Sequence, residues 1–147
     1  MRVVIGLGNA HRRDDGVGLA VAAEVGRQCP GVPVVHCAVE PAALIDAWDG
    51  ADVAVIVDAA VGQDAIAGRV RRGGIGDLAS PGVLSSHDLD LAATYRLAAA
   101  LGRAPGRVVV VSVDVADVGY GSGLSAVVAQ AVPATVALVC AELDATS

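Results

Sequence analysis

The sequence predicts an α/β fold built on a mostly parallel sheet. Short apolar runs rich in Val and Ile alternate with longer segments of helical periodicity, and that alternation implies parallel strands joined by right-handed crossovers. Hydrophobic residues make up 54% of the chain, yet the aromatic share is 2% with no Phe. Val, Ala, Leu and Ile must therefore fill the core, as they do in a buried sheet covered by helices. At 147 residues the length suits one ordinary domain, able to bury roughly 70% of the surface its unfolded form would expose.

The first strand is read over Arg2–Leu7, apolar on both faces. After a polar loop, Val17, Ala20, Val21 and Val25 fall at helical spacing and predict a helix to about Gln28, with the Asp14-Asp15 pair where negative charge favours its N-terminus. Val32–Val39 reads as the second strand. Pro41 suits the first turn of a helix to about Trp48, a position needing no N–H donor. Val53–Val57, ending in Asp58, gives a third strand, and Gly68–Arg72 a further short one. "SSHDLDLAATYRLAAAL" predicts a helix capped by Ser85 or Ser86, with Leu89, Ala92, Ala93, Leu97 and Ala100 on its apolar face. Val108–Val113 is the last strand, and the closing helix is one that Pro133 must kink or divide.

Composition excludes several classes. A net charge of −6 is the wrong sign for a nucleic-acid surface, which needs clustered Lys and Arg to displace counterions. Arg69, Arg71 and Arg72 form the one local basic group, read as a solvated hairpin or loop edge. Cys29, Cys37 and Cys140 are odd in number, far apart in sequence and without a Cys-x-x-Cys, so reduced core thiols are expected rather than disulfides or a zinc site. The amino terminus enters a strand directly, and no apolar run approaches the ~20 residues that span a bilayer. A soluble cytoplasmic protein, without nucleic-acid or membrane partners, is the expectation.

In an open parallel sheet, ligands bind at the carboxyl ends of the strands, where the polar residues gather. The first strand delivers Asn9, Asp14 and Asp15, the second Glu40, the third Asp58, and the last Asp114 and Asp117; His87 lies in the loop before the third helix. A nucleotide is disfavoured. Gly6 and Gly8 match a dinucleotide fingerprint, but His11 stands at its third glycine, the nearest strand-terminal acid, Glu40, comes too late for the ribose, and there is no Walker lysine. Asp14 and Asp15 would also repel a pyrophosphate at the helix mouth. Carboxylates with one imidazole instead suit a cation such as nickel, zinc or manganese.

Each candidate also has a structural reading. Asp14 is equally well a helix cap, Asp15 a dipole partner in the first turn, and His87 a loop histidine bonded to backbone. His11 reads as solvated, His36 as a satisfied core histidine, and Asp114 and Asp117 as turn residues before "GYGSG". Asp58 is harder to assign a bland role, because a charge abutting an apolar strand costs desolvation unless something pairs with it.

With those residues in hand, the sequence resembles the hydrogenase maturation endopeptidases, which remove the C-terminal extension of the large subunit of nickel-iron hydrogenases. The likeness runs nearly end to end. Its strongest part is "VIGLGNAHRRDDGVG", similar to the family's G-x-G-N, four residues, D-D/E-x-x-G signature. Asp58 after the third strand, "SSHDLDL" and the late "GSGLSAVV" add to it. "HCAVEP" and "SVDVAD" depart from the common pattern.

The resemblance implies a three-layer α/β/α domain of the phosphorylase/hydrolase-like kind, with a twisted, mostly parallel sheet. It places the metal-contacting and catalytic positions on Asp15, Asp58 and His87. The implied substrate is the large-subunit precursor, and the nickel is expected to arrive within it rather than as a permanent cofactor. Asn9, with backbone N–H groups around Gly8, would steady an oxyanion, while the metal or a carboxylate such as Asp58 activates water. No Ser-His-Asp or Cys-His order and no H-E-x-x-H is present. Two other readings are a nickel-sensing chaperone module without cleavage and a nucleotide-binding regulatory domain. A monomer with transient contacts to its client is expected.

Overall fold

The structure is a computed structural model, and it describes residues 1–37, 40–62, 64–74, 84–85 and 91–144. Its strands are β1 (Arg2–Leu7), β2 (Val34–Cys37), β3 (Val53–Val61), β4 (Val70–Gly74), β5 (Leu84–Ser85) and β6 (Arg107–Asp114). The helices are α1 (Val17–Gln28), α2 (Pro41–Trp48), α3 (Leu91–Ala100) and α4 (Ala126–Asp144), with a 3-10 turn over Arg13–Gly16 leading into α1. The sheet runs β2-β1-β3-β6-β4. β2, β1, β3 and β6 are parallel, β4 is antiparallel to β6, and β5 is antiparallel to the end of β3.

Strand residues alternate between two cores because successive side chains point to opposite faces. Val53, Val55, Val57, Val109, Val111 and Val113 pack with Val21 and Val25 of α1 and with Val136 and Val139 of α4. Ala54, Ile56, Val108 and Val110 pack on the other face with Leu44 and Trp48 of α2 and with Leu91 and Ala98 of α3. The Trp48 and Tyr95 rings meet edge to face at 6.2 Å, tying α2 to α3. This is the expected three-layer α/β/α arrangement with a mostly parallel sheet.

Two glycines set how closely α1 approaches the sheet. A methyl group at Gly18 would lie 2.4 Å from the Val57 carbonyl oxygen and 2.6 Å from that of Leu7, and one at Gly6 would lie 2.7 Å from the Gly18 oxygen. Only glycine at these positions seats the first turn of α1 directly on the ends of β1 and β3.

Several expectations need correction. β3 does not end before Asp58 but runs on to Val61, because β6 pairs with it as far as Ala60. Ser85 lies in β5 rather than capping a helix; Ser86 and Leu89 lie outside the described residues, among which α3 spans Leu91–Ala100. Ala92, Thr94 and Ala98 form the buried face of α3, whereas Leu97 is half exposed. His36 is exposed, not core, because β2 is an edge strand. Pro133 does not divide α4, a single 19-residue helix. α4 is therefore long and apolar enough to cross a membrane by length and composition. It packs instead on α1 and the sheet, with Val128, Val136, Val139 and Leu143 buried.

The Cys29 and Cys140 sulfurs, far apart in sequence, lie 3.4 Å apart. All three cysteines are free. Burial, reinforced by Cys29, pushes the Cys140 thiol up to about 11.

Candidate active site

The two adjacent aspartates of the β1–α1 loop have separate surroundings. Asp14 is fully buried, and its carboxylate accepts four hydrogen bonds from one loop: from the N–H groups of Ala116 (3.1 Å), Asp117 (2.9 Å) and Ser125 (2.6 Å), and from the Ser125 hydroxyl (2.9 Å). The Asp14 N–H donates back to the Asp117 carbonyl at 2.8 Å. Burial alone would raise its carboxyl, but these donors together outweigh it and hold the group below its ordinary value. Asp14 thus clasps the β1–α1 loop to the segment between β6 and α4.

The clasp continues through its neighbours. The Arg13 N–H donates to the Gly121 carbonyl, the Gly121 N–H to the His11 carbonyl, and Arg12 Nε to the Val118 carbonyl. Arg13 is held at φ 47°, a left-handed conformation that costs a non-glycine residue about 1 kcal/mol or more. The opposing loop sustains that conformation and so fixes how the next two residues point.

Asp15, 1% exposed, accepts the Asn9 N–H at 3.0 Å. The β1–β3 register ends at Gly6 opposite Val57, so Asp58 is the first β3 residue past those rungs, where the first turn of α1 sits. Asp58 is 2% exposed, and one oxygen accepts the Ala59 N–H at 2.8 Å. Two buried carboxylates, one in the 3-10 turn after β1 and one just past the last β1–β3 rung, are costly without compensating donors or cations. They supply hard oxygen ligands of the kind a first-row metal accepts.

The remaining candidates are placed as follows. His87 lies outside the described residues. Gly8 directly follows β1, and Asn9 is exposed. The Asn9 N–H is engaged by Asp15, and its side-chain oxygen accepts the His11 N–H; any oxyanion contact from Asn9 would therefore come from its side-chain amide. Glu40 and His11 are exposed. Asp114 and Asp117 are structural: Asp114 receives Arg69, Arg71 and the Ile66 N–H, while Asp117 accepts the Gly119 N–H. Among the described residues no three His, Cys, Asp or Glu side chains form a group that could hold a metal.

Ser125 was invisible to the sequence reading as an Asp14 partner, although it lies in the "GSGLS" segment. Arg69 and Arg71 proved to be ion-paired rather than simply solvated. Sequence separation hides both pairings; the parity of Arg69, Arg71 and Asp114 along their strands is the one signal that hints at the second.

Residues 22–142 match the family model HycI, described as hydrogenase maturation protease. The chain belongs to the hydrogenase maturation protease family. The matched span includes Asp58 and His87 and begins after Asp15. Solved structures agree in fold. The hydrogenase maturating endopeptidase HybD from E. coli superposes with a TM-score of 0.83 at 20% identity, over 99% of this chain and 93% of that one. The [NiFe] hydrogenase maturation protease HybD from Thermococcus kodakarensis gives 0.80 at 22% identity, over 94% and 95%. A hydrogenase 2 maturation peptidase from Thaumarchaeota archaeon SCGC_AB-539-E09 gives 0.67 at 24% identity, over 97% of each chain. No curated protein matches the sequence. This member of the family thus keeps its fold while sharing less than a quarter of its residues with these structures.

Proposed function

We propose that this family member is an endopeptidase that removes the C-terminal extension of a nickel-iron hydrogenase large-subunit precursor after nickel insertion. The observation that carries the reading is the pair of buried carboxylates, Asp15 and Asp58, beside a glycine-seated helix turn at the strand ends. With His87, which precedes α3 in the sequence, they make a three-ligand grip. The nickel belongs to the substrate, and the grip leaves coordination positions for the precursor's own ligands and for water.

The chain's residues then do three things. Asp15 and Asp58 hold the metal-bearing segment against the end of β3, which fixes the scissile peptide in place; such positioning is a large part of what catalysis requires. A carboxylate such as Asp58 takes the proton of the attacking water, or the substrate's nickel lowers that water's pKa. The Asn9 side-chain amide donates to the developing oxyanion.

The test incubates the protein with nickel-loaded and nickel-free precursor and reads each mass. Loss of a C-terminal peptide from the loaded sample alone is expected. Binding without any mass change would indicate a nickel-sensing chaperone, and cleavage of both samples would refute nickel gating. By calorimetry, His87→Ala should weaken nickel binding; unchanged affinity would remove His87 from the grip.

A further inference from the structure

Arg69 and Arg71 lie on the same face of the sheet as Asp58, and closer to it than their sequence separation suggests. Asp58 pairs with Ser112 on β6, and Ser112 pairs with Arg71 on β4. Registered partners across a sheet point to one face, so Asp58, Ser112 and Arg71 form a single row. At a strand spacing of about 4.8 Å, the Asp58 and Arg71 backbones stand about 10 Å apart, the span of roughly three residues of extended peptide. The next residue of this face on β6 is Asp114, opposite Ala60.

The cluster around Asp114 carries surplus positive charge. Arg69 Nε (2.9 Å), Arg71 Nη2 (3.1 Å) and the Ile66 N–H (3.0 Å) all donate to the same Asp114 oxygen. Among the described residues the fully buried Asp114 is the one carboxylate paired with these two guanidiniums, which leaves one positive charge over. Asp64, the nearest acid in sequence, offers Arg69 its backbone carbonyl. Among the described residues Arg71 Nε has no partner. The side chains of Arg69 and Arg71 remain 39% and 33% exposed. By contrast Arg72, on the opposite face, engages both Glu142 oxygens.

We propose that Arg69 and Arg71 form a carboxylate-binding subsite for the precursor, taking an acidic group about three residues from the bond cleaved beside Asp58. A guanidinium held by a buried aspartate is pre-oriented, so little freedom is lost when a second carboxylate docks on its outer nitrogens. The inference rests on the function proposed above, because that function supplies the peptide. A side-chain carboxylate and the chain-terminal one are chemically alike here, and peptide variants separate them.

The test is fluorescence anisotropy on the full chain. The labelled probe is a synthetic peptide of the precursor's last residues, spanning the cleavage point. It is made with its native acids, with each acid replaced by its amide, and with an amidated C-terminus. The wild-type protein should bind the acidic peptide about tenfold more tightly than the peptide lacking the recognised acid, the worth of one charge-assisted hydrogen bond. Arg71→Gln should erase that preference and Arg71→Lys should reduce it. Arg71→Lys, which keeps a positive charge beside the buried Asp114, serves as the second variant should Arg71→Gln disturb the fold.

In processing assays the same variants should raise KM about tenfold with little change in kcat. Equal affinity of the wild type for acidic and amide peptides, or a preference undiminished in Arg71→Gln and Arg71→Lys, would overturn the subsite. A charge preference with no cleavage of any precursor would leave the subsite standing and sink the protease reading. Loss of preference only on amidating the C-terminus would identify the terminal carboxylate as the group bound.

Discussion

Asp14 and Asp15 are adjacent, equally buried and of the same chemistry, yet the fold uses them oppositely. Asp14 points into the loop between β6 and α4, where three N–H groups and a hydroxyl surround it. Asp15 turns to the end of β1, where the Asn9 N–H meets it. A carboxylate surrounded by donors from one loop serves as a fastener, while its neighbour is turned toward β1, the setting on which the proposed function draws. Nothing in the residue type separates them; a 3-10 turn that opens on a left-handed Arg13 sends them in different directions.

The contrast can be broken at its base. Gly18→Ala drives a methyl group into two backbone carbonyls that cannot move aside. It should destabilise the protein by more than about 3 kcal/mol in urea unfolding, and both aspartates would lose their setting. A midpoint close to the wild type would show that α1 does not need its tight seat on β1 and β3.

Next in size are the opposite signatures of the two acids. Asp58→Asn keeps the shape and should reduce processing by on the order of a hundredfold or more, with the thermal midpoint nearly unchanged; full processing would take Asp58 out of the site. Asp14→Asn sets an amide group among donors and should cost about 2–3 kcal/mol of stability. If instead it proved as stable as the wild type, the clasp would not be what holds the loop.

Acid titration sharpens the same point. The Asp14 carboxyl lies below its ordinary value in the folded state, so its stabilisation is fully present above the unfolded value of about 4 and is lost as pH falls through the folded one. Stability of the wild type should therefore fall below about pH 4 more steeply than that of Asp14→Asn. Parallel acid limbs would contradict that assignment. The smallest effect belongs to Ser125→Ala, which removes one of four donors and should cost about 1 kcal/mol, measurable as a shifted urea midpoint with an unchanged slope.

Much of the fold was legible in the sequence. Valine-rich runs with glycine-bounded loops gave the strand and helix order, since apolar periodicity reflects burial directly. Asp58 was marked as a candidate because a carboxylate abutting a buried strand needs a reason to be there, and Asp15 by its place in the loop after the first strand and by the resemblance. The extension of β3 through Asp58 was not legible, because it depends on β6 pairing beside it. Nor was the exposure of His36, which follows from the edge position of β2, or the continuity of α4 across Pro133.

The sequence by itself determined the α/β class, the parallel core and the motif that brings acids to the strand ends, because these depend on local periodicity and residue chemistry. Only the tertiary structure decided which of two neighbouring aspartates is fastened and which faces the strand ends. It alone also set Arg71 in one row with Asp58 and put Arg69 and Arg71 on the buried Asp114. Those outcomes depend on register and on loops distant in the chain, and hydrogen-bond partners brought together by strand pairing leave no mark in the spacing of residues along it.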